Sequence, residues 1–186
     1  MTENEFKKFC ELYFLAEKKL KKVETVTRRL AIPPLNEFRY AGCHIARHLD
    51  GETDDNNIFD AERHCKRAIY DSMEIGITYY LDEIGAFKKE YDRIPITDVV
   101  SEYVGDLQKL REVQNFISSK NRHQFENSWE DLQNYFDELE KIYDRLDAAR
   151  SELNKKVNTW RRNLAIGLFS VALSILGLIV AIKSLF

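Results

Sequence analysis

The sequence predicts an all-α protein, a bundle of four to five long helices whose last helix continues into one C-terminal transmembrane helix. Apolar residues recur at spacings of three and four along most of the chain, as they do on one face of a helix. Only seven glycines and three prolines interrupt 186 residues, which favours long helices over strands. Near the C-terminus, residues 164–182 have the sequence LAIGLFSVALSILGLIVAI. This stretch, the apolar run or span, is uncharged and approaches the ~20 apolar residues that cross a bilayer.

Composition divides the chain into two parts. Charged residues make up 32% and hydrophobic residues 44%, which is typical of a globular protein, and the net charge of −3 favours no class of partner. We expect a helical-bundle domain over residues 1–158 and a membrane anchor over residues 159–186. The three cysteines, Cys10, Cys43 and Cys65, form no CxxC pair and are expected to be free thiols.

The first two helices are predicted from one apolar seam and two prolines. Helix one should cover residues 3–31 and end before Pro33 and Pro34, because proline lacks the backbone donor and restricts the preceding residue. Helix two should run from about residue 35 to 48. The acidic, turn-rich linker that follows it, DGETDDNN, should be exposed.

Three further helices complete the predicted bundle. Helix three should cover residues 58–92, with Gly76 and Gly85 allowing a bend or a close helix crossing. Thr97 or Asp98 should cap helix four, which carries Val100 and ends before a turn at residues 118–124. Helix five should begin at Phe125. No Pro or Gly separates it from the apolar run, so we expect one continuous helix. Such a rod would transmit displacement of the domain to the span; the alternative is a helix that packs in the bundle and then simply leaves it.

The residues that flank the span predict its orientation. Lys155, Lys156, Arg161 and Arg162 precede it, whereas Lys183 alone follows among the last residues. By the positive-inside rule, the N-terminal domain should be cytoplasmic, in a single-pass protein of the inner (plasma) membrane. Trp160 is placed to lie at the level of the lipid headgroups.

Small residues form a stripe along the span at spacings of three and four. Such a stripe allows close helix contact in lipid and predicts a homo-oligomer, with four or more subunits favoured. The same face of Ser and Gly would line a pore in such a bundle, but a tight dimer would use the same face, and a simple monomeric anchor is a further alternative. The stripe consists of Gly167, Ser170, Ser174, Gly177, Ala181 and Ser184.

The densest polar cluster falls on helix two and the start of helix three, and contains three of the four histidines. Arg makes bidentate contacts to phosphate, Lys acts as a point charge, and neighbouring tyrosines offer stacking surfaces for bases. We expect a nucleotide or oligonucleotide site here, with a solvated basic face as the alternative. The candidate residues are Arg39, His44, Arg47, His48, Arg63, His64, Lys66 and Arg67.

Two narrower hypotheses use the same residues. Arg39 and His44 have the Arg-x4-His spacing and resemble HEPN-type ribonucleases, which implies action on a scissile phosphate at a dimer interface; Tyr40 replaces the polar residue usual after the Arg. His44 and His48 lie one helical turn apart, and with His64 and Cys65 they would supply zinc ligands. We predict neither: no catalytic residue, metal or cofactor is assigned, and the protein is expected not to be an enzyme.

In overall architecture, the chain resembles single-span membrane effectors of bacterial anti-phage defence, in particular those of the Hailong type. The resemblance covers the helical domain, the basic cluster and the striped span from Gly167 to Ser184. It implies an oligomeric effector whose domain senses a nucleotide or oligonucleotide and gates a pore. The alternatives are a tail-anchored adaptor that recruits a protein partner to the membrane and a membrane-tethered HEPN-like ribonuclease.

Overall fold

The computed structural model describes residues 3–51, 56–119 and 129–183, and within these ranges the chain is helical with no strand. This confirms the predicted all-α class. The helices are α1 (Glu3–Thr27), α2 (Ile32–Leu49), α3 (Asn57–Glu90), α4 (Tyr103–Ser119) and α5 (Trp129–Lys183), with a 3-10 turn at Ile96–Asp98.

Helix α3 is the central element, because α1, α2 and α5 all pack against it. Helix α1 runs parallel to α3: Lys8 lies beside Glu62 and, farther along, Val23 lies beside Gly76. Helix α5 is also parallel to α3, since Gly76 meets Phe136 and Tyr91 donates a hydrogen bond to Asn154. Helices α2 and α4 run in the opposite direction.

The core lies along α3 and follows the predicted seams. Each large apolar side chain removed from water contributes roughly 1.5–3 kcal/mol before entropy is counted. On α5 the seam is buried as far as Leu153, and beyond residue 160 every described side chain is exposed. Core residues include Phe9, Ala16, Val23, Ile69, Met73, Ile77, Ile84, Phe87, Leu132, Phe136, Leu139 and Leu146.

The turn between α1 and α2 differs from the prediction. Helix α1 ends at Thr27, and Arg28 adopts a left-handed backbone conformation with φ of 54°. Pro33 and Pro34 do not terminate α1 but lie in the first turn of α2. Proline is well suited to this place, because the N–H groups of a first turn have no intrahelical partner.

The start of α4 also differs. Thr97 and Asp98 lie in the 3-10 turn, and α4 begins later, at Tyr103. Val100 lies in the turn before α4 rather than in the helix. It is nevertheless buried, which explains why this position is apolar. Ser118 and Ser119 continue α4, whereas Phe125 and the rest of the predicted turn lie outside the described residues.

Helix α5 is unbroken over 55 residues and is about 80 Å long, which confirms that the last bundle helix continues into the apolar run. An 18-residue stretch within it has a mean hydropathy of 2.6, and none of that stretch is buried by the rest of the described chain. One helix is therefore long and apolar enough to cross a membrane, and its apolar part stands clear of the bundle.

Substitutions at two glycines of α3 should have opposite effects. A Cβ added at Gly76 would lie 2.7 Å from Phe136 Cδ2 and 3.1 Å from Val23 Cγ2, whereas one added at Gly85 would meet nothing within 4 Å. We expect Gly76→Ala to lower the free energy of unfolding by about 1–3 kcal/mol through overpacking. Gly85→Ala should raise it by about 0.5–1 kcal/mol through helix propensity.

Thermal unfolding of the full chain in detergent, followed by circular dichroism, measures both changes. Equal effects of the two substitutions would contradict the close helix approach at Gly76.

Candidate functional site

Polar side chains from α2 and α3 meet in the interface between the two helices. Glu37 and His44 are seven residues apart on α2 and therefore share a face. His64 Nδ1 lies 2.6 Å from Glu37 Oε2, so the ring N–H donates to the carboxylate, and both side chains are mostly buried. His44 Nδ1 lies 3.2 Å from Asn57 Oδ1, which accepts its proton.

Three aromatic rings lie next to one another in this interface. The centroids of His44 and His64 are 5.3 Å apart, with 23° between the ring planes, and the ring of Tyr40 is 5.3 Å from His64 on centroids. The guanidinium of Arg39 lies 5.5 Å from the centroid of Tyr40. We call Arg39, Tyr40, His64 and His44 the ladder. Its outer end, Arg39 and Tyr40, is exposed.

The other predicted residues on α3 divide between two faces. Arg63 is exposed and forms an ion pair with Asp60 at 3.1 Å. Arg67 follows Arg63 by one turn and is also exposed, beside the face of His64. Lys66 comes two residues after His64, about 200° around the helix, and so points away from the ladder.

The predicted residues on α2 lie near the end of the helix. His48 follows His44 by one turn and is partly buried on the same face. Arg47 is exposed in the last turn, where a cation also balances the helix dipole. The structure thus brings His44 and His64 into direct ring contact, places Arg39 beside Tyr40 at the outer end of the ladder, and leaves Arg47, His48 and Arg67 around them.

Two residues of the site were missed from the sequence, Glu37 and Asn57. Glu37 could have been found from the sequence, because it lies seven residues before His44 and therefore on the same face of α2. Asn57 was assigned to the exposed linker but is buried in the first turn of α3. Its Nδ2 atom finds no acceptor among the described residues. Burying an unpaired amide donor costs about 1–3 kcal/mol, so a ligand oxygen would stabilise this position.

The cations at the end of α1 do not reach this cluster. Lys22 forms ion pairs with Asp137 at 3.2 Å and Glu140 at 2.8 Å, and Lys19 donates to Gln133. Partial burial lowers the pKa of the Lys22 ammonium, but the hydrogen bonds to Glu140 and Asp137 outweigh this effect and raise it. These lysines therefore fasten α1 to α5.

The zinc hypothesis finds no assembled ligand set. Among the described residues, no three His, Cys, Asp or Glu side chains lie close enough together to hold a metal ion. Cys65 is fully buried in the core, where desolvation and the Glu62 carboxylate raise the pKa of its thiol to about 12. A thiol held protonated in this way is a poor metal ligand.

Comparison with protein-family models, curated proteins and solved structures finds no match to this chain.

The small-residue stripe of the span is exposed within the single chain. Ser170 donates its hydroxyl proton to the carbonyl of Ile166 and Ser174 to that of Ser170, both at 2.9 Å. A Cβ added at Gly167 or Gly177 would meet nothing within 4 Å. Ala181 continues this face, and Ser184 lies outside the described residues.

The ladder and the span lie at opposite ends of the molecule. Because α3 and α5 are parallel and the middle of α3, at Gly76, meets the beginning of α5, at Phe136, His64 is on the order of 60 Å from the start of the apolar run at 1.5 Å per residue. A ligand at the ladder can affect the span only through the helices between them.

The cysteines provide a check on this arrangement. Cys43 is exposed and Cys65 is buried, with a thiolate population lower by on the order of a thousandfold at its raised pKa. We expect iodoacetamide at mildly alkaline pH to alkylate Cys43 rapidly and Cys65 only after denaturation, as measured by peptide mass mapping. Rapid labelling of Cys65 in the native protein would contradict its place in the core.

Proposed function

We propose that this protein is an oligomeric membrane effector whose helical domain binds a nucleotide or oligonucleotide and gates a transmembrane pore in anti-phage defence. The observation that carries the proposal is the pairing of the ladder at one end of α3 with an exposed, Ser- and Gly-striped span on the uninterrupted α5. In this arrangement the domain is cytoplasmic and the span crosses the inner membrane.

The chemistry of the ladder suits a phosphate with an attached base. Arg39 and Arg67 offer planar guanidinium groups for bidentate phosphate contacts. The exposed ring of Tyr40 offers a stacking surface. Glu37 and Asp60 neutralise part of the positive charge, so the site depends on hydrogen-bond geometry rather than on a large net charge.

The stripe suits a bundle of identical spans. Glycine and serine permit close backbone approach, and the two serine hydroxyls already donate to their own helix, so packing costs them no hydrogen bond. In a bundle of four or more copies, the lone pairs of these hydroxyls would face a water-filled lumen while Leu, Ile and Val face lipid.

The pore proposal predicts that growth arrest and conductance depend on the stripe. Full-length protein should arrest growth when its silencing ligand is absent, and the purified protein should conduct ions in planar bilayers. Replacing Ser170, Ser174 and Gly177 by Leu should abolish both, because three large side chains would fill the contact face. The matched control replaces Ala172, Ile175 and Ile179 on the opposite face by Leu and should keep both activities.

Harmless expression, with no conductance after bound nucleotide has been removed, would overturn the pore. If a plain Leu-rich span supports the cellular function unchanged, the tail-anchored adaptor is the better description.

The ligand proposal predicts a loss of affinity at the ladder. Arg39→Gln with Arg67→Gln should weaken binding of a fluorescent DNA oligonucleotide at least about tenfold, since a hydrogen bond to a charged group contributes about 1.5–3 kcal/mol. Lys7→Gln with Lys18→Gln removes the same charge from the exposed face of α1 and should change affinity little, as measured by fluorescence anisotropy. Equal losses in both variants would contradict a built site.

A second candidate function, the membrane-tethered ribonuclease, is favoured by one observation. His64 is oriented by the Glu37 carboxylate and stacks on His44, which places two imidazoles together for proton transfer. This candidate predicts RNA cleavage that is lost in His44→Ala and kept in the matched His48→Ala, with both variants folded by circular dichroism. Absence of cleavage by the wild-type protein would exclude it.

A further inference from the structure

The membrane-proximal end of the bundle carries an uneven balance of charge. The carboxylates of its outer turn are already paired: Glu90 with Arg150, Asp98 with Lys156 and Glu152 with Lys155. Asp92 lies 3.9 Å from Arg93. The exposed cations that remain without an ion pair among the described residues are Lys88, Lys89, Arg161 and Arg162.

Two of these cations border one cavity. A polar cavity of about 320 Å³ lies between the turn after α3 and the last bundle-contacting turn of α5, and Lys89 and Arg161 line it from the two sides. Arg93 and Trp160 also line it, with the guanidinium 5.6 Å from the indole centroid. The carboxylates of Glu90 and Asp92 line it as well, but Glu90 is paired with Arg150 and Asp92 lies beside Arg93, so Lys89 and Arg161 remain for an anion. The cavity thus combines cations from two helices with an aromatic side chain of the type enriched at membrane interfaces.

The cavity lies close to the start of the apolar run on α5. Arg161 precedes the first residue of the apolar run, Leu164, by about 5 Å of helix. The headgroup region on each side of a bilayer is about 5–8 Å thick. When the span crosses a membrane, the cavity therefore opens at the depth of the lipid phosphates, and the turn after α3 lies at the same level because it contacts Trp160.

We propose that this cavity is a binding site for the headgroup of an anionic phospholipid of the membrane that the chain itself spans. Lys89 and Arg161 hold the phosphate from opposite sides, and Arg93 with Trp160 closes the site. A lipid bound there links the end of α3 to α5 beside the span. The site is separate from the ladder and does not depend on which ligand the ladder binds.

The test is lipid retention by the full-length protein. The protein is equilibrated in mixed micelles of phosphatidylglycerol and phosphatidylcholine, and native mass spectrometry counts each lipid retained per chain. Wild type should retain phosphatidylglycerol preferentially. Lys89→Gln with Arg161→Gln should reduce that preference roughly fivefold for each cation removed, the size expected for a basic residue at an anionic surface.

Two controls make the result decisive. Lys7→Gln with Lys18→Gln, an equal change of charge on α1, should leave the preference unchanged. Labelling of exposed Cys43 by an impermeant maleimide in sealed vesicles should be the same for wild type and both variants, which shows that orientation is kept. An unchanged preference in Lys89→Gln with Arg161→Gln, or an equal loss in the α1 variant, would overturn the site. Neither outcome bears on conductance or on oligonucleotide binding.

Discussion

The fold depends on the close approach of three helices at Gly76. Here α1 and α5 meet α3 from two sides, and the space for Phe136 and Val23 exists only because residue 76 has no Cβ. Lys22 lies 4.5 Å from the centroid of the Phe136 ring and forms ion pairs with α5, so one face of the ring is covered by a cation. Tyr80 adds a ring contact one turn farther along α3. The three parallel helices are therefore joined in the middle of the molecule.

The junction at Gly76 separates two contact regions of α3. Towards its N-terminal end α3 packs with α2 and contributes His64 to the ladder, whereas towards its C-terminal end α3 packs with α5 as far as Tyr91 and Asn154. A movement of α2 against α3 that shifts Gly76 must displace Phe136, because tightly packed interiors transmit strain rather than absorb it. Helix α5 receives that displacement near its beginning and carries it towards the span.

Periodicity predicted the helices well because burial and helical spacing coincide along α3 and α5. The seam residues Leu132, Phe136 and Leu139 are buried as expected, and a close helix crossing was anticipated at Gly76. The helix ends were less predictable. Pro33 and Pro34 are compatible with either the end of one helix or the first turn of the next, and only tertiary packing selects between these outcomes.

The candidate site was predicted as a set of cations, and the structure adds the groups that orient them. Arg39, His44 and His64 lie near one another, though whether they form a ligand site stays a prediction, and the hydrogen bond from His64 to Glu37 joins residues that the sequence separates by a turn and a linker. Lys66 is the opposite case, since it is adjacent to the site in sequence and points away from it in space. The pore, the oligomer and the ligand stay predictions.

A short segment of α5 connects the bundle to the span. Val157 and Trp160 are the final residues that touch the bundle, and Leu164 begins the exposed apolar run. No Gly or Pro lies between them, so this segment has no residue at which a helix usually kinks. A rotation of α5 at Phe136 would therefore be passed along a helix without a usual kink site towards the stripe. In the proposed bundle of spans, such a rotation would exchange serine and glycine for leucine and isoleucine at the common axis, and this is how the proposed ligand would open or close the proposed pore.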